Sequence, residues 1–196
     1  MTPTKLCIGI PHGEMVKGKF LVPFTSLLFH LPCPAHVVTR EGVYVQENRH
    51  YIVQQAQQAQ CSHLLLLDAD MYFTHEALAG LIALDKDIAG AAYNMRQVPL
   101  TTTVKFADAT GTIVAKAAED IPTVPFPCYS VGFGFTLINL RVFDTLPQPW
   151  FYIEHEPDGS LKTGDDVWFC QQAAKAGYEV WADPTLGVKH IGDWLF

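Results

Sequence analysis

Two carboxylates spaced two residues apart, Asp68 and Asp70, follow directly on the apolar run Leu64-Leu65-Leu66-Leu67. Neighbouring carboxylates repel and require a compensating charge. A divalent cation carrying a phosphorylated ligand supplies it economically. The alternative is structural, with one aspartate capping the next helix and the other solvated. The flanking sequence favours the first reading. A continuous apolar run of this length reads as a strand buried on both faces, as in a parallel sheet. If the extended backbone continues past Leu67, both carboxylates share a face and point into one pocket at the strand's carboxyl end. Ligands of open α/β sheets bind there. Met71-Tyr72-Phe73 then leads to Thr74, a candidate N-cap. A helix follows over His75 to Leu84, with Ala77, Leu78, Leu81, Ile82 and Leu84 at helical spacing. Strand, diacid, helix is the order a nucleotide-binding α/β domain requires.

Three further groups carry chemistry. Thr163-Gly164-Asp165-Asp166-Val167-Trp168-Phe169-Cys170 predicts a helix that opens on two acids. Gly164 permits close approach to a ligand, and a helix N-terminus favours carboxylates. Either the acids cap their own backbone, or one of them, held near an acceptor hydroxyl, acts as general base. Gly187-Val188-Lys189-His190-Ile191-Gly192 sets His190 after an apparent strand. A lone histidine is commonly a hydrogen-bonded structural residue. Beside two aspartates it can give a nitrogen ligand to a Mn²⁺-like ion. His12 lies in the loop after the first strand. Gly132-Phe133-Gly134 is no phosphate loop, because a strand, Phe135–Leu140, follows it rather than a helix. Its glycines allow either close approach to a sugar or a bulge or tight turn. The aromatics Trp150, Phe151, Trp168, Trp181 and Trp194 read mostly as core, with one or two able to stack on an acceptor.

These groups need a scaffold. Lys5–Ile10 reads as a strand, Pro11–Val16 as a loop and Lys17–Leu31 as an irregular helix. Ala35–Arg40 is a second strand with a turn at Glu41-Gly42. Glu47–Ala59 is a helix with Ile52, Val53, Ala56 and Ala59 on one face. Ser62–Leu67 and Ile88–Ala92 are the third and fourth strands. Alternation of strands and helices implies βαβ units, a mostly parallel sheet and right-handed crossovers. The second half changes character. Thr101–Phe106 and Thr112–Ala115 flank Asp108-Ala109-Thr110-Gly111, a hairpin signal. Pro122, Pro125 and Pro127 mark a loop, and Val131–Leu140 is glycine-rich and then a strand. Trp150–Glu154 is a short strand, and Glu156-Pro157-Asp158-Gly159 a turn. Asp165–Ala176 is a helix stopped by Gly177, and Tyr178–Ala182 a strand.

A chain of 196 residues with 49% hydrophobic residues is one domain, or one domain with a small appendage, and can bury a sizeable core. Its net charge of −7 argues against a broad nucleic-acid surface. The five cysteines (Cys7, Cys33, Cys61, Cys128, Cys170) are an odd number without paired metal-ligand spacing. They read as reduced, mostly buried thiols of a reducing compartment. Lys17 and Lys19 before Phe20–Leu31 resemble a signal peptide's start. An apparent strand lies upstream, however, Pro23 interrupts the segment, and it is too short to span a bilayer. It reads as the first crossover helix. The expectation is no transmembrane segment and a cytoplasmic location.

The ordered set of motifs resembles a glycosyltransferase of the GT-A fold, of the small family-2-like type found in bacteria and phages. The resemblance rests on six motifs in order. They are Glu47-Asn48-Arg49 before a helix, His63 to Met71 with the Asp-x-Asp, and Asp87 to Tyr93 with Arg96. Gly132 to Ile138, Gly164-Asp165-Asp166 and His190-Ile191-Gly192 complete the set. It implies a Rossmann-like, mostly parallel sheet flanked by helices, with a smaller mixed acceptor-side part. Residues 1–100 would form the nucleotide-binding half and 101–196 the acceptor-side half of a single domain. It implies that Asp70 and His190 bind Mn²⁺ or Mg²⁺, and that Asp68 joins the metal through a bound water or contacts the nucleotide ribose. Pro11 and His12 would lie beside the base, and Arg49 and Arg96 would meet the nucleotide or diphosphate. Gly132 and Gly134 would stand on the acceptor side, and Asp166 would be the general base of an inverting, hexosyltransferase-like reaction. The donor would be a UDP- or GDP-linked sugar. The acceptor, whether glycan, protein, lipid or nucleic acid, is not specified. The family has Glu where this chain has Asp165, which leaves Asp165 as the second candidate base.

Two other readings compete. A nucleotidyltransferase also uses an α/β domain with acidic metal ligands, but wants a basic, glycine-rich loop after the first strand. Gly9-Ile10-Pro11-His12-Gly13-Glu14 carries an acid there. A non-catalytic module binding nucleotide sugars or glycans would not need both acidic motifs and His190 together.

Overall fold

The structure, a computed structural model, describes residues 3–192, and the aromatic Trp194 lies outside the described residues. In chain order the strands are β1 (Leu6–His12), β2 (Ala35–Glu41), β3 (His63–Leu67), β4 (Met71–Tyr72), β5 (Ile88–Ala91), β6 (Thr101–Ala107), β7 (Ile113–Ala117), β8 (Phe126–Cys128), β9 (Phe135–Asn139), β10 (Glu154–His155), β11 (Leu161–Thr163), β12 (Val180–Asp183) and β13 (Lys189–His190). The helices are α1 (Gly18–Phe29), α2 (Val45–Gln58), α3 (Glu76–Ala83), α4 (Arg141–Thr145) and α5 (Asp165–Lys175).

Seven strands form the central sheet in the order β2-β1-β3-β9-β5-β12-β8. β2, β1, β3, β5 and β12 run parallel, as βαβ alternation predicts, while β9 and β8 run against them. The apolar run after His63 is therefore flanked by parallel β1 on one side and antiparallel β9 on the other. Its burial on both faces holds. Leu64 and Leu66 enter the core under α2 and α5, with Ile52, Val53 and Phe169. Leu65 and Leu67 enter the core under α1 and α3, with Phe20, Leu27, Leu78 and Leu81. The period of two along the strand distributes one leucine run over two cores.

The expected helix at Lys17–Leu31 is α1, with Pro23 inside it, and among the described residues no helix is long and apolar enough to cross a membrane. The helix after the diacid begins at Glu76, with His75 rather than Thr74 at the cap position. The hairpin at Asp108–Gly111 joins β6 to β7, and the Asp108 carboxylate accepts from the backbone N–H groups of Thr110 and Thr112. The proline-marked loop contains a strand that its sequence conceals. β8 sits at the sheet edge, antiparallel to β12, where Pro127 is tolerated because an edge can spare a donor. The strand expected at Trp150–Glu154 is confined to β10, paired with β11 across the turn at Glu156. All five cysteines are free thiols, three of them buried.

Gly9 in β1 sets the depth of α2. A Cβ there would collide with the Ile52 side chain. The close approach brings the N-terminal turns of α2 against the carboxyl ends of β1 and β3. Gly9→Ala should therefore push α2 outward and lower stability by about 1–3 kcal/mol, read as a reduced urea midpoint at unchanged m-value.

Candidate functional site

A cleft of about 380 Å³ opens at the carboxyl ends of β1 and β3, where the sheet order predicts a ligand site. Pro11 and His12 from the end of β1 line it, with Asn48 from α2 and both Asp68 and Asp70. The extended backbone does not continue past Leu67. Asp68-Ala69-Asp70 forms a turn in which the Met71 N–H donates to the Asp68 carbonyl at 3.3 Å. The Asp68 N–H also donates to the Gly134 carbonyl, 3.0 Å away. The turn, rather than strand alternation, brings the two aspartates to one cleft.

The compensating charge expected for the diacid is present as two arginines. Arg49, 5% exposed on α2, donates from Nη2 to both Asp68 carboxylate oxygens at 2.9 and 3.1 Å. Its Nη1 donates to Asp165 Oδ2 at 2.6 Å. Burial works against its charge, but the carboxylates Asp68 and Asp165 outweigh that, and its pKa is raised. Arg49 also lies over the Phe133 ring at 5.3 Å, and its Nε is buried without a partner. Arg96, half-exposed, pairs with Asp70 at 2.8 Å. Among the described residues no cluster of three or more His, Cys, Asp or Glu side chains is arranged to hold a metal ion.

His190 reaches this site by a two-residue ladder. β13 pairs antiparallel with β4 and sets His190 opposite Met71, the residue after Asp70. The Ile191 N–H donates to the Asp70 carbonyl at 2.7 Å, which ties the same two segments. His190 Nδ1 lies 2.7 Å from the Asn94 carbonyl. A carbonyl can only accept, so Nδ1 carries a hydrogen, and Nε2 is the nitrogen that could act as a ligand when the ring is neutral. Metal-binding histidines commonly hold their other ring N–H against a carbonyl in this way.

Tyr93 is the residue that sequence reasoning missed. Its ring meets His190 edge-on, with centroids 4.7 Å apart, and its hydroxyl accepts from the Gly134 N–H at 2.8 Å. Burial raises its pKa, with the Asp68 carboxylate adding to the effect. Gly132 and Gly134 are glycines because a Cβ at either would meet the Tyr93 hydroxyl, at 2.5 and 2.6 Å. The close approach they permit is to this phenol. Asn48 was also overlooked as a lining residue, and its Nδ2 donates to the Gly42 carbonyl at 3.1 Å. The sequence signal for Tyr93 was its place at the end of an apolar strand, opposite the glycine pair.

The two acids of α5 divide. Gly164 occupies the cap position with no side-chain cap, and neither acid caps the helix in the usual sense. Asp165 is buried against Arg49. Asp166, half-buried, accepts the adjacent Val167 N–H at 2.7 Å. A Cβ on Gly164 would lie 2.9 Å from Asp166 Oδ1, so a larger residue there would displace that carboxylate. Burial raises the Asp166 pKa, Asp165 adds repulsion, and Arg49 partly opposes both. Of the residues singled out from sequence, Pro11, His12, Asp68 and Asp70 line the cleft. Arg49 links Asp68 to Asp165. Arg96 and His190 adjoin Asp70, and Gly132 and Gly134 back the site through Tyr93.

No protein-family model matches this chain, and no curated protein matches it. Solved structures that share its fold include the following two. A197 from STIV aligns with a TM-score of 0.63 at 17% identity, over 98% of this chain and 87% of that one. GalNAc-T7, solved with UDP, GalNAc and Mn²⁺, aligns with a TM-score of 0.64 at 12% identity over 97% of this chain. The alignment spans 44% of the GalNAc-T7 chain. The α/β architecture, with its mostly parallel central sheet flanked by helices, is thus shared with a GT-A glycosyltransferase.

Two stability measurements check the electrostatics. Arg49→Leu leaves the buried Asp165 without its cation and should cost about 3–5 kcal/mol at neutral pH by chemical denaturation. Asp166→Asn should do the reverse. A carboxyl whose folded pKa is raised holds its proton more tightly when folded, so stability falls as pH rises from the ordinary carboxylate range through the raised value. Asparagine removes that loss. The variant should melt above wild type at neutral pH, and the difference should vanish below about pH 4.

Proposed function

We propose that this chain is a metal-dependent glycosyltransferase that moves a sugar from a UDP- or GDP-linked donor to an acceptor hydroxyl with inversion. The observation that carries this reading is the β13–β4 ladder. It ties the segment carrying His190 to the residues just after the diacid, while Asp68 and Asp70 line the cleft. The fold shared with a glycosyltransferase solved with UDP, GalNAc and Mn²⁺ supports it.

In this reading the half up to residue 100 binds the donor, with Pro11 and His12 flanking the base. Asp70 and His190 hold Mn²⁺ or Mg²⁺, and Asp68 joins through a bound water or the ribose. A carboxylate and an imidazole are usual protein ligands of such an ion, but among the described residues they form no ready-made cluster, so Asp70 would have to release Arg96 to take it. When bound, the metal neutralises charge on the leaving diphosphate. Arg96 is half-exposed and exchanges its partner from Asp70 to a diphosphate oxygen. Arg49 acts as a positioning residue, fixing Asp68 against Asp165. The half after residue 100 receives the acceptor. Asp166 takes the proton of the acceptor hydroxyl, and its raised pKa makes it a stronger base than an ordinary aspartate.

The test is a panel of nucleotide sugars incubated with Mn²⁺, scored for release of nucleoside diphosphate. One donor class should be turned over, and Asp70→Ala should abolish the release while the fold persists. On a verified acceptor, Asp166→Asn should lower turnover by roughly 10²–10⁴ with donor affinity near normal. Full activity of Asp166→Asn would transfer the role of base to Asp165. No release from any donor would contradict the transferase reading.

A further inference from the structure

A surface helix needs one apolar stripe, facing the core. α1 has two. Phe20, Pro23 and Leu27 are buried on the sheet side. Leu21, Val22 and Phe29 point outward and are 55%, 75% and 82% exposed, and Met15 just before the helix is 85% exposed. A shallow groove runs between Leu21, Val22, Thr25 and Phe29. Isolated exposed apolar side chains are ordinary, but a contiguous patch marks an interaction surface.

Charge identifies the occupant. From Met15 to Arg40 the chain contains no aspartate or glutamate, although the whole chain carries −7. Lys17 and Lys19, both exposed, stand at the start of the patch. Glu14 precedes the helix, Glu76 lies 3.3 Å from His75, and Asp68 and Asp70 share the cleft that Met15 and Lys17 line at the helix start. A symmetric contact with a second copy would need acids on this face to meet the lysines, and the face itself has none. At 12 residues α1 is about 18 Å long, too short to cross a hydrocarbon core of about 30 Å.

We propose that α1 docks in the plane of an anionic membrane surface. Met15, Leu21, Val22 and Phe29 enter the headgroup boundary, and Lys17 and Lys19 meet lipid phosphates. Met15 and Lys17 also line the cleft, so its mouth adjoins the bilayer in this orientation. The docking does not depend on the transferase reading.

The full chain is sedimented with vesicles of phosphatidylcholine alone and of phosphatidylcholine mixed with phosphatidylglycerol. Binding should rise with phosphatidylglycerol and fall with added salt. The double variant Val22→Glu, Phe29→Glu should lose partitioning by at least roughly tenfold with an unchanged melting temperature, since both positions are exposed. Lys17→Glu with Lys19→Glu should lower binding to the anionic vesicles selectively. The proposal is overturned if wild type stays in the supernatant with both vesicle types, or if the apolar double variant binds as well as wild type. It is equally overturned if light scattering finds a wild-type dimer that Phe29→Glu disperses, which would make a second copy the occupant.

Discussion

One buried guanidinium organises the site. Arg49 comes from α2, Asp68 from the turn after β3, and Asp165 from the first turn of α5, 116 residues further along the chain than Arg49. Three elements distant in sequence are thus fixed to one planar fork, whose geometry matches two carboxylates at once. Lysine could not make both contacts. Removing any member leaves a buried or half-buried charge without its partner, which is why such a network specifies an arrangement more strongly than it stabilises the fold. Because Arg49 takes up Asp68 and Asp165, Asp70 and Asp166 are the acids whose partners are weaker. Asp70 meets a half-exposed arginine, and Asp166 accepts a neighbouring backbone N–H.

Around this fork the fold works by close approach. Gly9 lets α2 sink onto β1 and carries Arg49 toward the strand ends. Gly132 and Gly134 let the Tyr93 phenol bond the backbone that in turn accepts the Asp68 N–H. Tyr93 also abuts His190, so one buried ring connects the glycine turn, the diacid turn and the last ladder of the described chain.

Much of this was legible in the sequence. The leucine run, the alternation of strands and helices, the hairpin at Asp108 and the helix at Asp165 all follow from local periodicity and turn chemistry, which act over a few residues. Asp68 and Asp70 do border one cleft, while His190 joins that end of the sheet through a backbone ladder to Met71, which only motif order hinted at. What escaped was non-local. β9 inserts antiparallel between β3 and β5, and no residue within Phe135–Asn139 announces its direction. β8 hides among prolines because an edge strand needs few donors. The diacid read as the continuation of a strand, whereas the chain turns at Asp68. Its charge was expected to fall to a cation, whereas Arg49 and Arg96 supply it from α2 and from the segment after β5. Ion pairs between elements leave no trace in the spacing of either partner.

The central claim is that the cleft at the ends of β1 and β3 takes a nucleoside diphosphate together with a divalent cation. Isothermal titration of UDP and of GDP into the chain, with Mn²⁺ and then with excess chelator, tests it most directly. The account predicts one-to-one binding of one of the two nucleotides at micromolar affinity with Mn²⁺, falling by at least roughly tenfold in chelator. Binding that is unchanged by chelator, or no heat from either nucleotide with Mn²⁺ present, would contradict it.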